Sequence, residues 1–230
     1  MKPLVRWTIG NVHPNGFISL KISIKKFLQI YGNRFDYLIC HNSLTPEQIN
    51  EISQLNIPLY SQQKSDLIIQ NPTTAWKLYP PRLRIQTHEI LLDNDLIITK
   101  ALPAIDRFLN DEIFLITEAY SRNFGNFDSY VPKNLKLNTG LIGIPPCFNL
   151  TQNILKKLSS INYHTWKHYF DEQGLLASIV IQNKYEMIPL DDISVIKKEF
   201  RQANYGYHFV GLNQGNNFGW NEWKQNCLML

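Results

Sequence analysis

The feature that most constrains the fold is the alternation of short apolar runs with segments of helical periodicity in the first sixty residues. Leu4 to Ile9 and Phe35 to Cys40 are predicted to be strands. Between them, apolar side chains recur at helical spacing from Phe17 to Tyr31, and Gly32 follows where a helix cap is expected. A strand–helix–strand order of this kind predicts an α/β protein with a mostly parallel sheet flanked by helices.

Turn and capping residues continue the alternation beyond this point. Thr45 to Gln48 has the form of a capping box at the start of a second helix, before a predicted third strand at Ile57 to Tyr60. Later strands are predicted at 89–92, 113–117 and 141–144, with helices at 103–109, 149–160 and 171–182. The segment from Asp191 is predicted to be irregular, apart from a strand-like stretch at 207–212.

Composition and charge argue against several classes of protein. The 230 residues are 44% hydrophobic and 18% charged, which is typical of one folded domain rather than a disordered chain. The net charge of +4 is modest and the lysine pairs are scattered, so no nucleic-acid partner is predicted. Three widely spaced cysteines fit neither a disulfide framework nor a zinc site. With no signal sequence and no long apolar segment, we predict no transmembrane helix and a cytoplasmic location.

The strongest chemical signal is the string ILLDNDLII, in which an apolar run leads to Asp93 and Asp95. On an extended chain these two positions point to the same face, so both carboxylates are expected to converge at the end of a buried strand. Such an oxygen pair suits Mn²⁺ or Mg²⁺ holding a diphosphate. A simple turn is the alternative, because Asp-Asn-Asp is also favourable turn chemistry.

Four motifs in this order resemble glycosyltransferases of the GT-A fold, and most closely the glycogenin-like family 8. Asp93-Asn94-Asp95 stands at the family's metal motif, and Leu137 to Leu141 at its Asn-Ser/Thr-Gly segment. Glu172 to Ala177 is similar to its Asp-Gln-x-x-x-Asn stretch, and His208 to Gly211 to the start of its HxxGxxKPW motif. The resemblance spans about residues 8 to 220. It implies a Rossmann-like GT-A fold over residues 1–230 and a metal-dependent, hexosyltransferase-type enzyme that retains anomeric configuration.

The resemblance also assigns roles to individual residues. It implies a Mn²⁺ or Mg²⁺ cofactor held by Asp93, Asp95 and His208. The residues implied to bind the nucleotide, with a UDP-sugar as the expected donor, are Thr8, Ile9, Gly10, Lys77, Asn94 and Gly211. The residues implied to bind the sugar are Arg84, Asn138, Thr139 and Gly140, and those implied to act in catalysis are Asp171, Glu172 and Gln173. The acceptor is not identified.

Two departures from the family pattern leave alternatives open. Asn213-Gln214-Gly215 stands where the family has Lys-Pro-Trp, and Glu172 replaces its Asp. One alternative is therefore a GT-A domain that binds a nucleotide sugar or a protein partner without transfer. An inverting enzyme is another, with Asp171 or Glu172 as the base that deprotonates the acceptor. A third alternative rests on the aspartate pair that follows an apolar strand: a haloacid dehalogenase-like phosphatase, with Asp93 as nucleophile, Asp95 as acid/base and Asp191-Asp192 as a later metal pair.

Overall fold

The structure is a computed structural model that describes residues 1–62, 74–162, 166, 168–215 and 217–227. Its strands are β1 (Leu4–Ile9), β2 (Asp36–His41), β3 (Leu59–Ser61), β4 (Glu89–Asp93), β5 (Leu96–Ile98), β6 (Phe114–Glu118), β7 (Leu137–Ile144), β8 (Tyr185–Ile188), β9 (Ile193–Ile196) and β10 (Gly206–Phe209). Its α-helices are α1 (Pro14–Tyr31), α2 (Pro46–Ser53), α3 (Pro103–Asn110), α4 (Leu150–Ser160), α5 (Asp171–Val180) and α6 (Phe218–Cys227). Short 3-10 helices span Thr74–Leu78, Gly125–Tyr130 and Leu212–Gln214.

A seven-stranded sheet forms the centre of the fold, in the order β3-β2-β1-β4-β7-β6-β8. β7 runs antiparallel to both of its neighbours, and the other strands run in one direction. The prediction of a mostly parallel sheet flanked by helices is therefore confirmed. Thr8 pairs with Asp93, so the carboxyl ends of β1 and β4 meet at one edge. Because β7 is reversed, its first residues lie at the same edge, where ligands of such sheets bind.

A second sheet of three strands, in the order β5-β10-β9, stands beside this edge. Its strands come from distant parts of the sequence, since β5 follows β4 directly whereas β9 and β10 lie beyond residue 190. The strand-like stretch predicted at 207–212 overlaps β10, whereas the prediction that the rest of the segment from Asp191 is irregular was wrong, because it contains β9 and α6. The four residues of β9 are too few to show an alternating pattern, and β10 pairs with β5, which is far away in the sequence.

Apolar side chains pack on both faces of the large sheet. Ile90 and Leu92 of β4 join one core cluster together with Phe27 of α1. Leu91, which points the other way, joins a second cluster with Leu175 of α5. Helices thus cover both faces and leave the carboxyl edge for polar residues. Of the helices in the described part of the chain, none has the length and apolar character needed to cross a bilayer.

Candidate metal and donor site

Three side chains able to ligate a metal converge at the carboxyl edge of the large sheet. Asp93 ends β4, Asp95 lies in the turn to β5, and His208 lies in β10. The Nε2 atom of His208 is 3.2 Å from Oδ1 of Asp95 and 3.9 Å from Oδ2 of Asp93. One ligand atom from each residue lies within 4.8 Å of the others, so one cation can bridge them. Two carboxylate oxygens and an imidazole nitrogen fit a divalent ion such as Mn²⁺ or Mg²⁺.

A turn, rather than strand periodicity, brings the two aspartates together. The expected convergence of the two carboxylates at the end of a buried strand is confirmed, but the chain is not extended there: β4 ends at Asp93, and Asn94 and Asp95 form the turn to β5. The buried amide of Asn94 donates from Nδ2 to the Gly16 carbonyl at 3.1 Å and to Oδ1 of Asn213 at 3.0 Å. Asn94, which the resemblance assigned to the nucleotide, therefore ties the turn to α1 and to the segment that follows β10.

The Oδ1 oxygen of Asp93 is held by two neighbouring side chains. Lys77 places its Nζ 2.5 Å from Oδ1 of Asp93, and the Thr8 hydroxyl donates to the same oxygen at 3.3 Å. Burial lowers the pKa of Lys77, but the carboxylates of Asp93 and Glu172 outweigh it and the pKa is raised overall. Lys77 is therefore a charged ammonium, and Oδ2 of Asp93 is the oxygen that faces His208.

Glu172 is a buried carboxyl group beside this ion pair. Burial raises its pKa to about 7; the Lys77 ammonium opposes the shift, and the charge of Asp93 adds to it. Hydrogen bonds with the side chains of Thr74 and Thr139 favour the ionised form and moderate the shift. Glu172 thus titrates near neutral pH, which is the range useful for proton transfer.

A chain of amides joins the start of α5 to the start of β7. The Asn138 Nδ2 donates to Oε1 of Gln173 at 3.3 Å, and the Gln173 Nε2 donates to the Asn123 carbonyl at 2.7 Å. The backbone N–H of Gly140 donates to Oδ1 of Asn138 at 2.8 Å. The two motifs that the resemblance assigned to the sugar are thus neighbours in space, beside Glu172 and His208.

Two residues of the expected site have other surroundings. Arg84 forms an ion pair with Asp36, the first residue of β2, and so lies at the amino edge of the sheet, opposite the metal ligands. Asp171 is fully buried, and its carboxylate accepts from the backbone N–H groups of Asn126 and His168, both at 2.8 Å. Its charge therefore fixes the loop that leads into α5.

Three other expected residues have no polar side chain, so only their backbone groups could meet a ligand. Ile9 is fully buried at the end of β1, and Gly10 follows it. A Cβ added to Gly10 would lie 3.4 Å from the Trp76 ring, so this aromatic covers the end of the strand. Gly211 has a φ of 82° at the start of the 3-10 helix Leu212–Gln214, and among the described residues no atom lies within 4 Å of a Cβ built there. The bare α-carbon of Gly211 leaves room for a ligand to approach the main chain, whereas the Trp76 ring occupies that space at Gly10.

Comparison with solved structures identifies the fold. Mouse xyloside xylosyltransferase 1 superposes with a TM-score of 0.59, covering 92% of this chain and 98% of that chain at 10% identity. The galactosyltransferase LgtC, solved in complex with donor and acceptor sugar analogs, gives a TM-score of 0.60 over 90% of this chain and 87% of that one, at 8% identity. The chain has the GT-A fold. The bifunctional glycosyltransferase WbbM shares this GT-A fold too, with a TM-score of 0.58 at 12% identity. The match covers 84% of this chain and 40% of that one. No family model matches the sequence, and no curated protein matches it either.

The GT-A fold also brings to the site three residues that sequence reasoning missed. Thr74 and Trp76 stand beside Lys77 on one 3-10 turn, and the Thr74 hydroxyl donates to the Tyr169 carbonyl at 3.3 Å. The Tyr169 phenol lies within electrostatic reach of Lys77, although the residue is 56% exposed. Only closeness in sequence to Lys77 and to Glu172 could have indicated them, since none belongs to a motif.

The phosphatase alternative gains no support from the GT-A fold. It needed Asp191 and Asp192 to complete a metal site. Asp192 instead accepts from the Asn204 amide at 3.0 Å, and within the described ranges neither residue belongs to a cluster of metal ligands. The third potential ligand of the Asp93 and Asp95 pair is His208.

Proposed function

We propose that the chain is a metal-dependent glycosyltransferase of the hexosyltransferase type, which moves a sugar from a nucleotide-diphosphate sugar to an acceptor. The observation that carries the proposal is the cluster of Asp93, Asp95 and His208 at the carboxyl edge of a GT-A sheet. One fold hosts many functions, so the argument rests on the chemistry of this site. The similar structures named as a xylosyltransferase and a galactosyltransferase support glycosyl transfer. Because xylose is a pentose, the hexosyltransferase type rests on the sequence resemblance alone.

Asp93, Asp95 and His208 would hold Mn²⁺ or Mg²⁺. A bound ion of this kind neutralises the charge that builds up on the leaving diphosphate. The two oxygens of Asp93 have different partners: Lys77 and Thr8 hold Oδ1, whereas Oδ2 faces His208. Oδ2 is therefore the oxygen that would bind the ion. The Lys77 ammonium adds a second positive charge at the place where a diphosphate would lie.

The donor is assigned to the groups that surround this cluster. We place the nucleotide, with UDP favoured by the sequence resemblance, against Thr8, Ile9, Gly10, Lys77, Asn94 and Gly211. The sugar is placed against Asn138, Thr139 and Gly140. Arg84 is left out of the proposal because its guanidinium lies at the opposite edge of the sheet.

Glu172 and Gln173 are assigned to the reacting sugar. Following the resemblance, we propose retention, with the Gln173 amide held beside the sugar by Asn138 and Asn123. An inverting transfer needs a carboxylate that deprotonates the acceptor hydroxyl. Glu172, with its pKa near 7, is the residue that would serve there. Asp171 supports both by fixing the loop before α5.

The test is a thermal-shift screen of nucleoside diphosphates and nucleotide sugars with and without Mn²⁺, followed by product analysis. A ligand that binds the native state raises its melting temperature. We expect one nucleotide to stabilise the protein only with Mn²⁺, and Asp95→Asn to abolish both the shift and the release of sugar. Asp191→Asn, an exposed acid outside the cluster, is the control and should behave as wild type. Equal nucleotide shifts in Asp95→Asn and wild type contradict the proposal.

Binding without transfer is the second candidate function. It is favoured by Asn213-Gln214-Gly215, which stands where the resembling family has Lys-Pro-Trp. The same screen separates the two functions. A nucleotide sugar that stabilises the protein in the presence of Mn²⁺, yet is neither transferred nor hydrolysed over long incubation, identifies a binding domain.

A further inference from the structure

Gly140 lies directly against the imidazole ring of His208. A Cβ added to Gly140 would come within 2.2 Å of Cε1, 2.6 Å of Nδ1 and 2.8 Å of Nε2 of that ring. Each distance is shorter than any normal carbon contact. Gly140 belongs to β7 and lacks the positive φ that only glycine adopts readily. Its backbone would therefore accept alanine, and what glycine provides here is space for the ring.

The ring of His208 has little freedom to move away. His208 is 3% exposed, and its strand is bonded to β5 on one side and to β9 on the other. Its neighbours Tyr207 and Phe209 are buried in an aromatic cluster with Trp220 and Trp223. An added methyl group at residue 140 would therefore have to rotate the imidazole rather than displace the strand.

The usual means of orienting a metal-binding histidine is missing from the described residues. Such a histidine normally donates its second ring N–H to a carboxylate, a carbonyl or a water. The Nδ1 of His208 is buried, and no described group forms a hydrogen bond with it. Close packing is then what keeps Nε2 directed at Asp93 and Asp95.

We propose that Gly140 is a positioning residue for the metal site, whose bare α-carbon seats the His208 ring and so fixes the direction of Nε2. The inference rests on the proposed metal-dependent function and adds a second role to a residue assigned to the sugar. It makes the spacing between β7 and β10 a determinant of metal affinity.

The experiment is a calorimetric titration of Mn²⁺ into the nucleotide-free protein, comparing Gly140→Ala with Gly143→Ala. Both glycines belong to β7, but a Cβ on Gly143 would meet Leu115 at 2.8 Å and Phe108 at 2.9 Å in the apolar core. We expect Gly140→Ala to weaken Mn²⁺ binding about 10–100-fold, as the loss of a supporting group does. Gly143→Ala should lower the melting temperature and leave Mn²⁺ affinity unchanged.

His208→Ala, alone and combined with Gly140→Ala, tests whether the effect of the added methyl group depends on the imidazole ring. Removing the ring in His208→Ala makes room for the methyl group, so Gly140→Ala should then cost no additional Mn²⁺ affinity. If Gly140→Ala alone fails to fold, the double variant should recover folding, which tests the same steric contact. Unchanged Mn²⁺ affinity in Gly140→Ala overturns the inference, and so does an equal loss with and without His208. If wild type binds no Mn²⁺, or binds it equally in Asp95→Asn, the metal site itself fails together with the inference.

Discussion

Replacing Glu172 with glutamine is expected to change how the stability of the protein depends on pH. Burial raises the pKa of this carboxyl group from 4.5 to about 7 in the folded protein, so the folded state favours the protonated form. Its contribution to stability is complete below pH 4.5 and is lost as the pH rises to 7. At 1.36 kcal/mol per unit of pKa, this shift removes about 3 kcal/mol of unfolding free energy from wild type. The amide of Glu172→Gln does not titrate and avoids this loss.

The assay is urea denaturation at several pH values between 4 and 8, with a chelator present so that only the protein is compared. The unfolding free energy of Glu172→Gln minus that of wild type should rise by about 3 kcal/mol across this range. Glu112→Gln, which replaces an exposed carboxyl group, is the control and should change this difference by less than about 0.5 kcal/mol. Parallel pH profiles for Glu172→Gln and wild type would refute the reasoning, because they would mean that the pKa of Glu172 in the folded protein is close to its ordinary value.

Two further predictions concern the scaffold of the site. Arg6→Met leaves the fully buried Glu89 without its ion-pair partner, which lies at 2.8 Å. The variant should lose about 3–5 kcal/mol of unfolding free energy, measured by urea denaturation. A loss of about 1 kcal/mol or less, as for a surface ion pair, would contradict this. Asn94→Ala and Asn213→Ala each break the same amide pair, so their effects on unfolding free energy should be non-additive by about 1 kcal/mol in a double-mutant cycle. Additive losses would show that the pair does not link the turn to the segment after β10.

The first half of the fold could be predicted because its signals are local. The long apolar stripe of α1 ends as expected at Gly32, whose N–H donates to the Leu28 carbonyl at 2.9 Å. The capping box of α2 is also confirmed: Thr45 accepts from the Gln48 N–H at 3.3 Å, and the Gln48 side chain accepts from the Thr45 N–H at 2.9 Å. Signals of this kind need only neighbouring residues, so one sequence is enough to recognise them.

In the last forty residues, the sequence predicted one strand-like stretch at 207–212, which overlaps β10, and missed the other elements. β9 and β10 have four residues each, and α6 begins at Phe218 without an alternating or strongly one-sided pattern. Ile193 and Tyr207 are buried because distant segments cover them, and no local feature of the sequence specifies those partners. The helix predicted for 171–182 ends at Val180, and the strand β8 that follows was missed.

The candidate metal ligands could be predicted, but the geometry that joins them could not. The two aspartates were found from their spacing and His208 from a motif resemblance, and the structure brings all three together. The turn at Asn94, the pairing of Lys77 with Asp93 and the contact between Gly140 and His208 all depend on tertiary packing. A motif specifies which side chains are present, whereas packing specifies which of their atoms meet.

The pairing of Asn94 with Asn213 has a consequence for the order of folding. These residues are 119 positions apart, and the two strands beside them, β5 and β10, are neighbours in the small sheet. Closing so long a stretch of chain costs entropy before any contact compensates for it, so pairings of this kind tend to form late in folding. A chain that has folded only its first half would have both aspartates in place, but the histidine would not yet have joined them. If the proposed metal site is correct, metal binding should therefore report the completion of folding.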